Sequence, residues 1–521
     1  INVTGQINVN GSALSTSPTI TATASGSIGA GKAVVINSSG QVKQPAQTFI
    51  GEDPVDLSSA AATVDQQTGN ATDNMWDHNK TAYDPVSGRA FANYNWAGNG
   101  PRWIAGTVNT LNTATSWNTS GGKLSESGED QSCCNVGENK FLMLWRNSAT
   151  YAKVVTLSGS DSSVAASSGS SLAIGGNHSN YARFKHSYAN CGNGKIVVVC
   201  YTSTNGSYES VVLQVASNGT GTTLTSGNAE EVSSSGQNEH TNVIAHSGGK
   251  VVTAYTTNVG GWAWYYRVGT VGTNTVSWES EASLTGNVGG LKLFEAKTGG
   301  NGELIAVYWS NSAVRYKVGT ISGTSITWGS EQVLFSSSNT SGLSGFYDAC
   351  WDSSSGRVAI LTRGNNDRLY ISSATLSSGT LTKNTNHQED LGTLTNANNY
   401  GYSRPDEAFV IAATKTGNVL ITSRMRKSSN NHRNIMSTTA VLGTVGTELT
   451  TLEYVGISSA AYTNGQTATI DVTGGTNTAV SGLTVGSNYY VQGDGSLGTD
   501  TATPLIKAGL ALSATKLLVK E

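Results

Sequence analysis

"VGTISGTSITWGSEQ", Val318–Gln332, repeats the design of an earlier stretch, "VGTVGTNTVSWESEA", Val268–Ala282. Val268/Val318, Gly269/Gly319, Thr270/Thr320, Trp278/Trp328 and Glu281/Glu331 recur at a fixed offset of 50 residues. Such a period is the signature of a repeat architecture, and it takes precedence over any local motif. A second marker runs through the chain: a turn ending mostly in Gly and a basic residue, then a β-rich run. It reads "SGRAFANYNW", "ENKFLMLWRN", "NGKIVVVCYT", "GGKVVTAYTT", "NGELIAVYWS", "SGRVAILTRG" and "TGNVLITSRM", anchored at Arg89, Lys140, Lys195, Lys250, Glu303, Arg357 and Asn418. Successive anchors are 51, 55, 55, 53, 54 and 61 residues apart.

Units of this length, each a set of short strands cut by Gly, Ser and Asn, match the blade of a β-propeller. The expected fold is all-β: a seven-bladed β-propeller over residues 71–450, flanked by two small related β-modules, residues 1–70 and 451–521. Within a blade, strand A precedes the anchor, as in "NVIAH" (Asn242–His246), and strand B follows it across a tight hairpin whose Gly supplies positive φ. Strand C is the "YYRVGTV" or "RYKVGTI" run, and strand D carries Trp278 or Trp328.

Composition agrees. Only 12% of the 521 residues are charged, about half the usual share, so polarity comes from Ser, Thr, Asn and Gly, all weak helix formers. The net charge of -3 offers no field for nucleic acid or an anionic membrane. The longest apolar run, "IVVVCY" (Ile196–Tyr201), is far short of the ~20 residues that span a bilayer, so neither nucleic-acid binding nor membrane insertion is expected. The sequence begins at Ile1 rather than Met, as expected of a processed or partial chain. Cys133, Cys134, Cys191, Cys200 and Cys350 form neither a disulfide framework nor a metal pair, and the seven histidines have no zinc spacing. No metal or cofactor is expected. Cys133 and Cys350 fall seven residues before an anchor, in a mostly apolar column, and Cys200 falls five after one, in the column of Tyr94, Trp145, Tyr255 and Tyr308. These thiols read as small core hydrophobes.

The flanks repeat each other. "GKAVVINSSGQV" (Gly31–Val42) matches "GSNYYVQGDGSL" (Gly486–Leu497), "FIG" (Phe49–Gly51) matches "YVG" (Tyr454–Gly456), and "ATVD" (Ala62–Asp65) matches "ATID" (Ala468–Asp471). The propeller therefore reads as an insertion between them. The segment that closes its ring is expected in Ala61–Gln67 or Thr447–Glu453.

Motifs for chemistry are weak. "GSIGAGK" (Gly26–Lys32) satisfies GxxxxGK, but Ala33 stands where a P-loop needs Ser or Thr, and β-branched "AVVIN" stands where it needs a helix. The sialidase Asp box falls at the turn between third and fourth strands, where "TSITW" lies, yet its Asp and Gly are missing. Glu129, Asp130, Glu239, Asp367, Asp406 and Glu407 are acids from which a glycosidase pair could be drawn, and no GxSxG elbow supports a Ser-His-Asp site. Enzyme activity is not expected.

The loops joining strands B and C carry a different signal. Units six, seven, one and two place there Arg363 and Arg368; Arg424, Arg426, Lys427, His432 and Arg433; Trp96, Arg102 and Trp103; and Arg146. Units four and five add Trp262 and Trp309. Aromatic rings stack on sugars and arginine forks bind carboxylate or phosphate, so these eleven Trp and Arg residues are the candidate site for an anionic glycan. Solvated rim residues are the bland alternative.

The "VGT(V/I)xGTxxxWxSE" unit, "YDPVSGR" (Tyr83–Arg89) and the ending "SGLTVGSNYYVQGDGSLGTD…AGLALSATKLLVKE" together resemble the propeller-bearing tail-fibre or virion-surface proteins of tailed phages, especially marine, cyanophage-like ones. The resemblance implies a non-enzymatic structural protein on the particle surface. It also implies other virion proteins as partners, a homo-oligomer, trimeric for preference, and a role in host attachment or decoration. "SGNAEEVSSS" in unit three lacks the Trp, and unit seven has the long basic "RMRKSSNNHRN". A glycan-degrading enzyme on a propeller scaffold and a bacterial surface adhesin are the alternative readings.

Overall fold

The structure, a computed structural model, describes residues 8–9, 12–13, 18–45, 47–57, 62–66, 80–84, 87–96, 100–108, 115–117, 128–146, 149–158, 165–168, 170–174, 187–202, 207–215, 223–234, 236–246, 249–257, 263–296, 302–336, 343–352, 356–364, 369–383, 389–390, 400–401, 409–413, 418–427, 433–447, 449, 453–499 and 505–520. Among these, every regular element is a β-strand, as weak helix formers alternating with β-branched residues dictate. Contacts divide the chain into two units, one of residues 51–443 and one of residues 1–50 with 444–521.

The larger unit is propeller-like: among the described residues it holds seven small antiparallel sheets, I to VII. Sheet I contains Lys80–Asp84, Arg89–Trp96, Gly100–Val108 and Thr115–Trp117; sheet II contains Glu129–Gly137, Lys140–Arg146, Thr150–Ser158 and Ala165–Ser168. Sheet III contains Ser187–Asn190, Lys195–Thr202, Ser207–Val215 and Leu224–Ser233; sheet IV contains Gly236–His246, Lys250–Thr257, Ala263–Val271 and Val276–Trp278. Sheet V contains Gly289–Ala296, Glu303–Ser310, Ala313–Ser322 and Ser325–Trp328; sheet VI contains Leu343–Asp352, Arg357–Gly364, Leu369–Ser377 and Thr380–Lys383. Sheet VII is centred on Phe409–Ala413, Asn418–Lys427 and Arg433–Thr447. Each anchor residue opens a second strand. The turn before it uses Gly88, Gly194, Gly249 and Gly356 at φ 65° to 74°, with Asn139 at φ 57° in the same place in sheet II, the conformation a tight hairpin requires.

First strands of successive sheets touch from I through VII, and Phe409–Ala413 of sheet VII touches Lys80–Asp84 of sheet I. The space between neighbouring sheets is filled by apolar residues from both. Phe91 and Ala105 meet Cys133, Phe141 and Trp145; Leu142 and Val154 meet Val198 and Leu213; Val252 and Trp264 meet Leu293 and Ala306; Leu420 meets Ala90 and Val108. Each Val, Leu or Phe among them contributes about 1.5–3 kcal/mol when fully buried.

Sheet VII takes outer strands from the other end of the chain. Ala62–Gln66 pairs antiparallel with Arg433–Thr447, setting Met436 opposite Thr63 and Ile435 opposite Asp65, and Gln47–Leu57 adjoins the same strand. Of the segment Ala61–Gln67, one of the two expected to close the ring, the described residues Ala62–Gln66 pair with the last sheet.

The terminal unit departs from the expected pair of consecutive modules at 1–70 and 451–521. Its first sheet runs Thr19–Thr23, Thr467–Asp471, Tyr454–Ser458, Ala33–Ile36, Val42–Lys43, so two strands from the later part of the chain lie between strands from the earlier part. Its second sheet runs Thr476–Asn477, Lys516–Val519, Lys507–Ser513, Asn488–Val491, Leu497–Gly498, the same order built from one continuous segment. The match extends to register. Val34 opposes Gly456 and Val35 opposes Tyr454 after a bulge, as Tyr489 opposes Gly509 and Tyr490 opposes Lys507 after another. One core, with Ala33, Val35 and Ile457 against Tyr489, Val491, Ala508 and Leu517, joins the two sheets. Tyr454–Gly456 and Ala468–Asp471 fill the places in this sheet that the sequence match would equally assign to Phe49–Gly51 and Ala62–Asp65. The P-loop lookalike lies here as well: Ile28 bridges to Tyr462, and the strand Ala33–Ile36 follows Lys32, not a helix.

Candidate functional site

The recurring residues of the opening stretch form a frame between sheets. Strand pairing puts Gly319 opposite Trp328 and Gly269 opposite Trp278. A Cβ on Gly319 would stand 2.6 Å from Trp328 Cε3, and one on Gly269 2.8 Å from Trp278 Cε3. The Gly of each "VGT" is thus the seat of the indole. Trp278 Nε1 donates to Ser210 Oγ of sheet III at 2.8 Å, while Trp328 meets the ring of Tyr266 from sheet IV edge-on at 5.9 Å. Tyr266 and Tyr316, each two residues before its "VGT", donate to backbone carbonyls of the next sheet, Ile326 O at 3.4 Å and Leu381 O at 3.2 Å.

The recurring Glu has an equally structural partner. The hydroxyl of fully buried Tyr255 donates to Glu281 Oε2 at 2.5 Å, and that of Tyr308 to Glu331 Oε2 at 2.6 Å. Arg315 Nη1 holds the other oxygen of Glu331 at 2.8 Å. Burial first, and the adjacent carboxylate second, push both phenols well above the ordinary tyrosine range. In sheet III Cys200 takes the tyrosine's column, and burial, aided by Glu209, pushes its thiol up to about 12. None of the five cysteines is in a disulfide, and Cys133, Cys134 and Cys200 are buried.

Each of these groups is raised in the folded state, so each favours folding below its unfolded pKa, and that contribution is lost as pH climbs through the folded value. Stability is therefore expected to hold to about pH 8.5, where an unfolded thiol titrates, and to fall more steeply beyond about pH 10, where unfolded tyrosine does. Melting followed from pH 8 to 11 checks this, and Cys200→Ala should flatten the first part of the decline.

The candidate glycan residues lie at the other end of the strands from the Gly-Thr turn. Backbone register places Trp96 and Arg146 as last residues of second strands, Arg363 and Trp309 one residue before the end, and Arg102 and Trp103 near the start of a third strand. Arg424 and Arg426 lie near the end of Asn418–Lys427, and Arg433 opens the next strand directly opposite Arg426. These nine are strand residues rather than loop residues, because strand pairing runs almost to the tips: Trp96 already faces Gly100, and Arg146 faces Thr150. Trp262 and Arg368 lie outside the described residues. Basic positions thus occupy one end of the consecutive sheets VI, VII, I and II.

Two of the tryptophans carry structural duties. Trp103 is half-buried and stacked on Phe91 at 5.8 Å, and Phe91 stacks in turn on Phe141 at 5.0 Å. Trp309 packs against the apolar core shared by sheets V and VI. An aromatic stack that includes Trp145 over Tyr151 at 5.8 Å escaped the sequence reading, which had only the column of Trp145 as a signal. Of the candidate acids, Glu129, Asp130 and Glu239 lie in first strands of sheets II and IV, while Asp367, Asp406 and Glu407 lie outside the described residues. No cluster of three or more potential metal ligands occurs among the described residues.

No protein-family model matches the chain, and no curated protein matches it. Among solved structures, a putative 6-phosphogluconolactonase from Bacteroides fragilis aligns at 10% identity over 67% of this chain and 94% of its own, with a TM-score of 0.41. The Cps50 (Swd1) β-propeller domain of Myceliophteria thermophila aligns at 10% identity over 72% and 98%, with a TM-score of 0.39. Aleuria aurantia lectin aligns at 14% identity over 59% and 96%, with a TM-score of 0.35.

Proposed function

We propose that the chain is a non-enzymatic surface component of a tailed-phage virion, a tail fibre or a decoration protein. Its seven sheets form a closed propeller whose B–C end attaches to anionic glycan on the host. Closure is supported by the contact of sheet VII with sheet I and by the strand Ala62–Gln66 that sheet VII takes from before sheet I. The virion role rests on the motif resemblance, as do partnership with other virion proteins and a trimeric state.

The attachment face is carried by one observation: Arg363, Arg424, Arg426, Arg433, Arg102 and Arg146 fall at the same end of four consecutive sheets, whereas the repeated Trp278 and Trp328 pack between sheets. Arginine forks at that end suit carboxylate or sulfate groups. Replacing Arg363, Arg424 and Arg426 together by alanine should weaken binding to host surface polysaccharide about tenfold or more, since each lost charged hydrogen bond costs ~1.5 kcal/mol or more, with melting unchanged. Unchanged binding removes the face from the account. Release of reducing ends from that polysaccharide would favour a glycan-degrading enzyme instead.

A further inference from the structure

The first sheet of the terminal unit has two claimants for the same place. Residues 19–66 contain, in order, every piece that the continuous segment 476–519 uses for its own sheet: an edge strand, a hairpin, and then Phe49–Gly51 and Ala62–Asp65, whose sequences match Tyr454–Gly456 and Ala468–Asp471. In the folded chain the later pair occupies the sheet, with Thr469 opposite Thr21 and Ala468 opposite Ala22. The earlier strand, Ala62–Gln66, lies instead against Arg433–Thr447, with Thr63 opposite Met436. By the sequence match, Thr63 in the contiguous arrangement would stand where Thr469 stands, opposite Thr21.

We propose that the early strand Ala62–Asp65 holds the place beside Thr19–Thr23 until the chain is complete. The late strand Ala468–Asp471 then displaces it, releasing it to become the outer strand of sheet VII. Completion of the last sheet is thereby coupled to arrival of the C-terminal segment. Kinetics favour the early claimant first. Thr21 and Thr63 are 42 residues apart and Thr21 and Thr469 are 448 apart, and nearby pairings form sooner because less loop entropy is lost in closing them.

Packing favours the late claimant in the end. Fully buried Ile470 stands where the early strand offers the smaller Val64. Fully buried Ile457, which follows Tyr454–Gly456, likewise stands where the early segment offers Glu52. Filling the void and keeping a carboxylate out of the core both stabilise the exchanged arrangement.

Two full-length double variants test this, Thr21→Cys with Thr63→Cys and Thr21→Cys with Thr469→Cys. Directly opposed strand residues lie within disulfide reach. Each protein is refolded from denaturant, aliquots are oxidised at successive times, and the links are mapped by peptide mass. The expected result is a 21–63 link in early aliquots that is largely absent from late ones, while the 21–469 link rises to dominate. A 21–63 link missing at every time, or equally abundant in the folded protein, overturns the proposal. The folded 21–469 variant serves as the control that cysteine is tolerated at Thr21: it should link almost completely and melt like the parent.

Discussion

Gly319→Val is expected to destabilise the protein by about 2–3 kcal/mol, the cost of forcing atoms into a filled space. The first added carbon would lie 2.6 Å from Trp328 Cε3 and 2.9 Å from Ile326 Cγ2. The clash can be relieved only by moving the indole away from Tyr266 of the neighbouring sheet. Denaturant unfolding of Gly319→Val, Trp328→Leu and the double variant measures this. The double variant should lose clearly less than the sum of the two single losses, because the smaller side chain vacates the space that valine needs. Additive losses would mean that Gly319 is not the seat of Trp328. The same experiment at Gly269 and Trp278 should give the same sign, which is what a repeated piece of frame requires.

Glu331→Ala should cost about 1–3 kcal/mol, because it leaves the buried Tyr308 hydroxyl without its carboxylate acceptor and Arg315 without its ion-pair partner. Tyr308→Phe should cost less, about 1 kcal/mol, since donor and acceptor then part while Glu331 keeps Arg315 and some access to water. In the Tyr308→Phe background most of the penalty of Glu331→Ala should disappear, giving a coupling of about 1 kcal/mol in the double-mutant cycle. Polysaccharide binding should be unaffected in all three variants. A loss of binding with unchanged stability would instead place Glu331 in a ligand site and undo its assignment to the frame.

Much of the fold was legible because the chain repeats itself. The Gly-anchored hairpins before Arg89, Lys195, Lys250 and Arg357, the third strand ending in Val268-Gly269-Thr270, and the fourth carrying Trp278 all lie where periodicity put them. Periodicity registers what recurs along the chain, however, and the terminal unit is built from what does not lie in order. Nothing local in "ATVD" distinguishes a strand that stays beside its own hairpin from one that pairs with Arg433–Thr447. That choice is made by tertiary packing such as that of Ile457 with Tyr489, Val491 and Leu517, at a place where the early segment carries Glu52. The candidate site was legible only as strand ends. Register shows that Arg426 faces Arg433, a relation set by the hairpin, while the stacking of Trp103 on Phe91 depends on packing that composition does not encode.

If the proposed propeller closes with seven radial sheets, the last completed by Ala62–Gln66, averaged electron images of the purified protein viewed along the propeller axis should show a closed ring of seven radial densities. A ring of six or eight, or an open arc with a gap between the sheets that begin at Lys80 and at Phe409, would contradict it.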